Sequence, residues 1–216
     1  MEELISDFLL ESTKPGKGKV YQKGEVIYYE DTPSFGLYYI SSGTVKIYTS
    51  DTNGREIILR LVSEKDIFGH RYLMNEKIHV ESAKALEETI CHFIDGRDFQ
   101  DKMQRIPPLT QIILQKIGKE IHHYQRRCVE LIKKNVRERL ASYFYYMAMN
   151  HSENSKYGIK IKLQLSREEI ASLIGTANET TIRFISEFKE LGIITEEDRY
   201  FHIRDKERLA SIGRVL

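Results

Sequence analysis

The chain changes character at Pro107-Pro108. From Leu109 to Asn135 there is no proline and one glycine, Gly118. Across that stretch Leu114, Ile117, Ile121, Tyr124, Cys128 and Leu131 recur at alternating spacings of three and four. Such spacing is a heptad seam on a long helix. The apolar stripe is narrow, about two residues in seven, and the rest of the segment is polar or basic. A narrow seam is best covered by a second helix of the same kind, so the pattern favours a homodimer over packing on the chain's own domain. The helical pattern runs on through Val136 to Phe144, and His151 to Gly158 reads as a polar loop.

Ahead of the prolines the periodicity is that of strands. Pro15-Gly16-Lys17-Gly18 and Lys23-Gly24-Glu25 punctuate the start, and Val26 to Tyr29 is a short β-rich run. Leu37 to Ile40 and Thr44 to Tyr48 flank Ser41-Ser42-Gly43, which reads as a tight hairpin turn. Asp51-Thr52-Asn53-Gly54 is a second hairpin signal, because Asn-Gly supplies positive φ at little cost. Glu56 to Val62 follows as a strand. Many short strands in succession predict an antiparallel barrel or jelly roll, so the fold class is α+β, with an N-terminal β-roll and helices after it.

Composition narrows the function classes. Of 216 residues 41% are apolar and 30% charged, the balance of a folded globular chain rather than a disordered one. The longest relevant apolar run, Tyr143 to Met149, is seven residues, against about 20 for a bilayer span. The first residues are acidic where a secretory signal would be basic. We therefore expect a cytoplasmic protein with no membrane partner. Two cysteines, Cys91 and Cys128, cannot make a disulfide framework or an all-cysteine metal or iron–sulfur site, and both read as buried reduced thiols. No Gly-x-Ser-x-Gly, Walker loop or Cys-x-x-Cys is present. His70, His79 and His92 are too widely spaced for a close His-x-His pair of a jelly-roll metal enzyme. Neither an enzyme, a metal site nor a resident cofactor is implied. Net charge is +1, but Asp101 to Arg139 carries ten basic residues against four acidic ones, compatible with nucleic acid or with a solvated helix face.

The C-terminal part supplies the sharper signal. Ser166-Arg167-Glu168-Glu169 is a capping box opening a helix that buries Ile170, Ala171, Leu173 and Ile174. Gly175 supplies a turn. Thr176-Ala177-Asn178-Glu179 reads as a second capping box, and the next helix is expected to bury Ile182, Ile185, Phe188 and Leu191. This is the helix-turn-helix arrangement, followed by a hairpin of Gly192 to Thr195, a turn at Glu196 to Arg199, and Tyr200 to Ile203. The second helix would place its N-terminal residues against base edges in the major groove. Asn178, Glu179 and Arg183 occupy the reading positions. Arginine can bond guanine O6 and N7, and glutamate can accept from cytosine N4. A Glu179 held in a capping box, however, is not free to read a base. Thr180 and Thr181 are expected phosphate contacts, with Ser166 and Thr176 at the two helix starts beside them.

These residues carry a resemblance over about residues 15 to 212 to the CRP/FNR family of bacterial transcription regulators. The matching stretches are Lys23-Gly24-Glu25-Val26-Ile27, Gly36-Leu37-Tyr38-Tyr39-Ile40 with Gly43, Val45 and Lys46, Asp66-Ile67-Phe68-Gly69, Ser82-Ala83-Lys84-Ala85-Leu86, and Glu179-Thr180-x-x-Arg183. The resemblance implies a cyclic-nucleotide-binding-type β-roll over 1–106, a dimerisation helix over 107–134 and a winged helix-turn-helix over 135–216. It also implies a homodimer that binds inverted-repeat double-stranded DNA and contacts RNA polymerase.

The departures from the family pattern concern the ligand. Members that bind cyclic AMP carry Gly-Glu and, about ten residues on, Arg-Ser/Thr-Ala, where the arginine takes the cyclic phosphate. Here the stretches are Gly69-His70 and Glu81-Ser82-Ala83. A carboxylate about 4 Å from a phosphate repels it by roughly 4 kcal/mol at an effective dielectric near 20. The expectation is that cyclic AMP does not bind tightly. Gly69, His70, Arg71, Ser82, Ala83 and Tyr124 are the positions that would line a pocket, and Arg71 is the one nearby cation that could substitute. The four cysteines of the family's iron–sulfur branch are absent. An effector of another kind stays open: an unknown small molecule, a redox signal at Cys128, or haem on a histidine (His70, His79, His92, His122, His123) or a cysteine.

Overall fold

The computed structural model describes residues 18–75 and 77–215. The acidic N-terminus and the Pro15-Gly16-Lys17 punctuation lie outside the described residues. The chain forms two compact units, one reaching Ile121 and one beginning at His122. The division falls inside the long helix rather than at either of its ends.

Among the described residues the first unit holds eight strands: β1 (Lys19–Tyr21), β2 (Val26–Tyr28), β3 (Gly36–Ser42), β4 (Thr44–Ser50), β5 (Glu56–Ser63), β6 (Ile67–Phe68), β7 (Ser82–Ala85) and β8 (Thr89–Asp95). They form two antiparallel four-stranded sheets, ordered β1-β8-β3-β6 and β2-β7-β4-β5. Ile40, Phe68 and Cys91 of the first sheet pack with Val45, Ile47, Val62 and Ala83 of the second, so the core lies between the sheets.

The Asn53-Gly54 hairpin forms as expected: β4 and β5 pair, and the Asp51 carboxylate accepts the Asn53 and Arg55 N–H groups at 2.8 and 3.0 Å. The Ser41-Ser42-Gly43 turn does not close a hairpin. β3 pairs with β6 and β8 while β4 pairs with β5 and β7. The chain steps from one sheet to the other at Gly43, whose φ is +92° and where a Cβ would lie 2.6 Å from the Glu88 carbonyl oxygen.

Asp95 caps α1 (Gly96–Arg105) by accepting from the Arg97 and Asp98 amides. Helix α2 runs Pro107–Lys133. Leu109, Ile113 and part of Ile117 pack against Leu37, Tyr39, Ile67 and Phe99. The helix does not continue into the next segment as its periodicity suggests. Asn135 accepts from the Glu138 amide and Glu138 reaches back to the Asn135 amide, so a capping box starts a new helix, α3 (Val136–Asn150).

The second unit continues with β9 (Ser152–Ser155), β10 (Gly158–Ile161), α4 (Arg167–Ile174), α5 (Asn178–Glu190), β11 (Ile194–Glu197), β12 (Tyr200–Ile203) and α6 (Lys206–Gly213). Its sheet is ordered β11-β12-β10-β9. Half of the expected polar loop is thus β9, an edge strand whose Ser-Glu-Asn-Ser sequence shows no alternation because neither face is buried. Leu140, Ala141, Phe144 and Met147 of α3 are fully buried, and the Phe144 ring meets Phe201 edge-on at 5.0 Å.

Candidate nucleic-acid interface and the β-roll interior

The turn between α4 and α5 is fixed from three sides. Ser166 caps α4 with a complete capping box to Glu169. Gly175 has φ +68°, and a Cβ there would lie 2.8 Å from the Leu131 Cδ2. The Arg139 guanidinium donates to the carbonyls of Lys134 (2.7 Å), Ile174 (2.7 Å) and Gly175 (3.1 Å). Carbonyls at a helix end have no partner within the helix, and this arginine from α3 supplies one. Nothing in the local pattern around the turn points to Arg139; it enters the site only through tertiary packing.

Helix α5 starts at Asn178 with Ala177 at the cap and no side-chain cap bond. The second capping box expected at Thr176 is therefore not made, and Glu179 is not held by it. Glu179, Ile182, Arg183, Ser186 and Glu190 are exposed, while Thr181, Ile185 and Phe188 are buried. Further sequence expectations are corrected here, and Leu173 of α4, expected in the core, is half-buried. Ile182 and Leu191 are exposed rather than buried. Thr181 is buried, at 0% exposure, and its Oγ1 donates to the Ala177 carbonyl, leaving no surface for a phosphate. Asn178 is half-buried with its Oδ1 enclosed and without a partner, which does not suit a base reader. Thr180 and Thr176 are half-buried, and Ser166 is exposed at the start of α4. The Arg183 guanidinium lies over the Phe184 ring at 4.8 Å, a contact worth about 0.5–1 kcal/mol at an exposed site.

The wing is a two-residue hairpin. Asp198 and Arg199 both have positive φ (51° and 67°) and β11 reaches Glu197, two residues beyond the expected strand end. Glu196 on the wing pairs with Arg167 of α4 at 2.8 Å and with Lys189 of α5. Those ion pairs tie wing, first helix and second helix together and engage both cations.

Along α2, Leu114, Ile121, Cys128 and Leu131 are exposed, as are Val129 and Ile132, which lie outside the expected seam. Ile117 and Tyr124 are half-buried, Ile117 against the first unit's core. Cys128 is exposed rather than buried, whereas burial pushes the Cys91 thiol up to about 12.

The first unit's interior holds a polar cluster that composition does not hint at. Arg60 lies on β5 at the same parity as Ile58 and Val62, facing inward, with 6% exposure. Its guanidinium reaches Glu81 at 3.4 Å and Glu120 of α2 at 3.0 Å. His70 Nε2 lies 3.3 Å from the other Glu120 oxygen, Lys116 Nζ lies 3.7 Å from Glu120, and Lys116 also pairs with Asp66. Arg71 is half-exposed, 4.0 Å from Glu81. Burial alone would raise the Glu120 carboxyl. The His70 hydrogen bond and the Arg60 and Lys116 charges outweigh it and hold the group at about 2.

Several of the expected pocket residues are engaged within the roll itself. His70 joins the cluster. Ser82 is buried with its Oγ accepting from the Glu30 amide, Ala83 is in the core, and Gly69 (φ +73°) caps the short 3-10 turn His70–Met74. Tyr124 belongs to the second unit, beside His123. Nor is Arg71 the sole nearby cation: Arg60 and Lys116 are there too, so Glu81 is not a bare charge. Of the other candidate histidines, His79 is stacked on Tyr28 at 3.7 Å and His92 sits 3.2 Å from Ser41 Oγ, while His122 and His123 are exposed. Among the described residues no group of three His, Cys, Asp or Glu side chains could hold a metal ion, and no helix is long and apolar enough to cross a membrane.

A double-sheet roll, a long helix and a winged helix, in that order, define the architecture of a winged-helix regulator with an N-terminal β-roll. Residues 18–106 match the cyclic nucleotide-binding domain and residues 138–212 the Crp-like helix-turn-helix domain. The chain is similar to the anaerobic regulatory protein of Pasteurella multocida, 29% identical over 96% of this chain and 74% of the relative. It is also similar to the fumarate and nitrate reduction regulatory protein of Yersinia pestis, 29% identical over 96% of this chain and 80% of the relative. The solved structure of FixK2 from Bradyrhizobium japonicum superposes with a TM-score of 0.80 at 23% identity, over 90% of this chain and 95% of that one. The chain belongs to the CRP/FNR family; it is a DNA-binding transcription regulator and not an enzyme.

Proposed function

We propose that the regulator works as a homodimer that reads an inverted-repeat operator with Glu179 and Arg183 of α5, each protomer taking a G·C pair in its half-site. The observation that carries this reading is the outward face of α5. It presents Glu179 and Arg183 one helical turn apart on a turn that Ser166 and Arg139 hold in place. Arginine to guanine and glutamate to cytosine are the contacts such a face can make. The exposed seam of α2 supports the dimer, which would put half-sites about one helical turn of DNA apart. The family likeness supports contact with RNA polymerase and a cytoplasmic setting.

The same reading gives the β-roll no tight affinity for cyclic AMP. A phosphate entering beside Arg60 would have to displace Glu81 and Glu120 from it, and a buried guanidinium leaves a paired carboxylate only at a cost of several kcal/mol. An effector of different chemistry remains compatible with the fold.

The test is selection of bound duplexes from a random pool at about 0.1 M salt, fixed because non-specific binding depends steeply on it. Enrichment of an inverted repeat, lost at one base pair per half-site in Arg183→Ala, is expected. An unchanged preference in that variant would overturn the assignment. Calorimetric titration with cyclic AMP is expected to show no micromolar binding.

A further inference from the structure

Ile182 is the apolar residue on the face of α5 that carries Glu179 and Arg183. It is 44% exposed, three residues after Glu179 and next to Arg183, while Thr181, Ile185 and Phe188 fill the buried side of the helix. Much of the isoleucine at that position faces away from the unit's own core. In the major groove the base edges present one methyl group, the C5-methyl of thymine; apart from ring C–H groups, the rest are hydrogen-bond donors and acceptors. An aliphatic side chain brought against those edges gains most buried apolar area where a methyl projects toward it, and covers donors or acceptors without pairing them at most other spots.

We propose that Ile182 is a specificity-determining residue that selects a thymine in each half-site, next to the base pair taken by Glu179 and Arg183, through contact with its methyl group. The proposal rests on the reading of α5 as the helix that enters the groove. It adds one base of recognition that neither the glutamate nor the arginine can supply, because both read hydrogen-bonding groups.

The experiment uses the full-length protein, the Ile182→Ala variant and duplexes carrying the selected operator. Each thymine is replaced in turn by deoxyuridine, which removes the methyl and leaves base pairing intact. For wild type we expect one position per half-site where the replacement weakens binding about fourfold, the value of one buried methyl. Adding 5-methylcytosine opposite guanine at that position should bind better than cytosine. Ile182→Ala should bind thymine and deoxyuridine alike there, yet keep the guanine preference assigned to Arg183. A wild-type protein indifferent to deoxyuridine at every position, or an equal penalty in Ile182→Ala, would overturn the role of Ile182 and leave the groove-binding reading standing. Failure of wild type to select any inverted repeat would overturn both together. Matching circular dichroism of the two proteins checks that the exposed substitution leaves the fold intact.

Discussion

Replacing Glu120 with glutamine removes one negative charge from a site where Arg60, His70 and Lys116 converge on it, and the structure sets the size of the effect. The Glu120 carboxyl is held at about 2, against an ordinary value of 4.5. A difference of that size is worth about 3 kcal/mol of folding stability at pH 7. The sign follows from proton binding: a folded-state pKa below the unfolded one means that the unfolded chain takes up the proton first as pH falls. The stabilisation is whole above about pH 4.5 and is lost as pH falls toward 2. Glu120→Gln should therefore be less stable than wild type by about 3 kcal/mol at pH 7, because Arg60 loses one of its carboxylate partners. At pH 3 the gap should narrow to less than half of that. Urea unfolding followed by circular dichroism, on both proteins at both pH values, reads this directly; the chain has no tryptophan to follow instead. A difference below about 0.5 kcal/mol at pH 7, or one that stays constant between pH 7 and 3, would refute the reasoning.

Three further outcomes follow from the second unit and the seam. Arg139→Ala should cost about 2–4 kcal/mol of stability, because two carbonyls of the turn and that of Lys134 lose a charged donor; operator affinity should fall with it, as gel-shift titration would record. Thr181→Val should lower stability by about 1 kcal/mol through the lost bond to Ala177, and leave operator affinity within about twofold, whereas a phosphate contact at this threonine would make affinity drop. Ile121→Asp alters a side chain that is exposed in the protomer, so the protomer's fold should persist while sedimentation velocity shows monomers; a persisting dimer would place the interface elsewhere.

Much of this arrangement is legible in the chain because local signals and tertiary packing agree. The Ser166 capping box, the Gly175 turn and the Asn53-Gly54 hairpin each depend on a few neighbouring residues, and each forms as read. The misread elements share a different cause. Ser41-Ser42-Gly43 has the composition of a hairpin turn, yet which strands pair beyond it is decided by residues more than forty positions away, on β8. Thr176 is a plausible cap by type, but the helix begins two residues later at Asn178, where the chain leaves the Gly175 turn. Thr181 and Ile182 exchange roles because neighbours on a helix are about 100° apart, so a small rotation of the assumed buried stripe swaps inward and outward faces.

The β-roll interior shows what a residue-type reading misses and what could have revealed it. Glu56 to Val62 alternates, and parity puts Arg60 on the same side as Ile58 and Val62. A charge at a core-facing register is expensive without a partner, so that parity alone demands a carboxylate from somewhere else in the fold. Glu81 is near in sequence and visible as a departure from the family pattern. Glu120 is not, since it sits sixty residues on, in a helix otherwise read only for its apolar seam. The consequence reaches function. The carboxylate standing in the phosphate arginine's position is one half of a pair whose other half is a buried arginine, and that arginine also grips the long helix. The single change Glu81→Arg would therefore not restore a nucleotide site. It would set a second guanidinium against Arg60 in the interior, and a phosphate would still compete with the Glu120 carboxylate for Arg60.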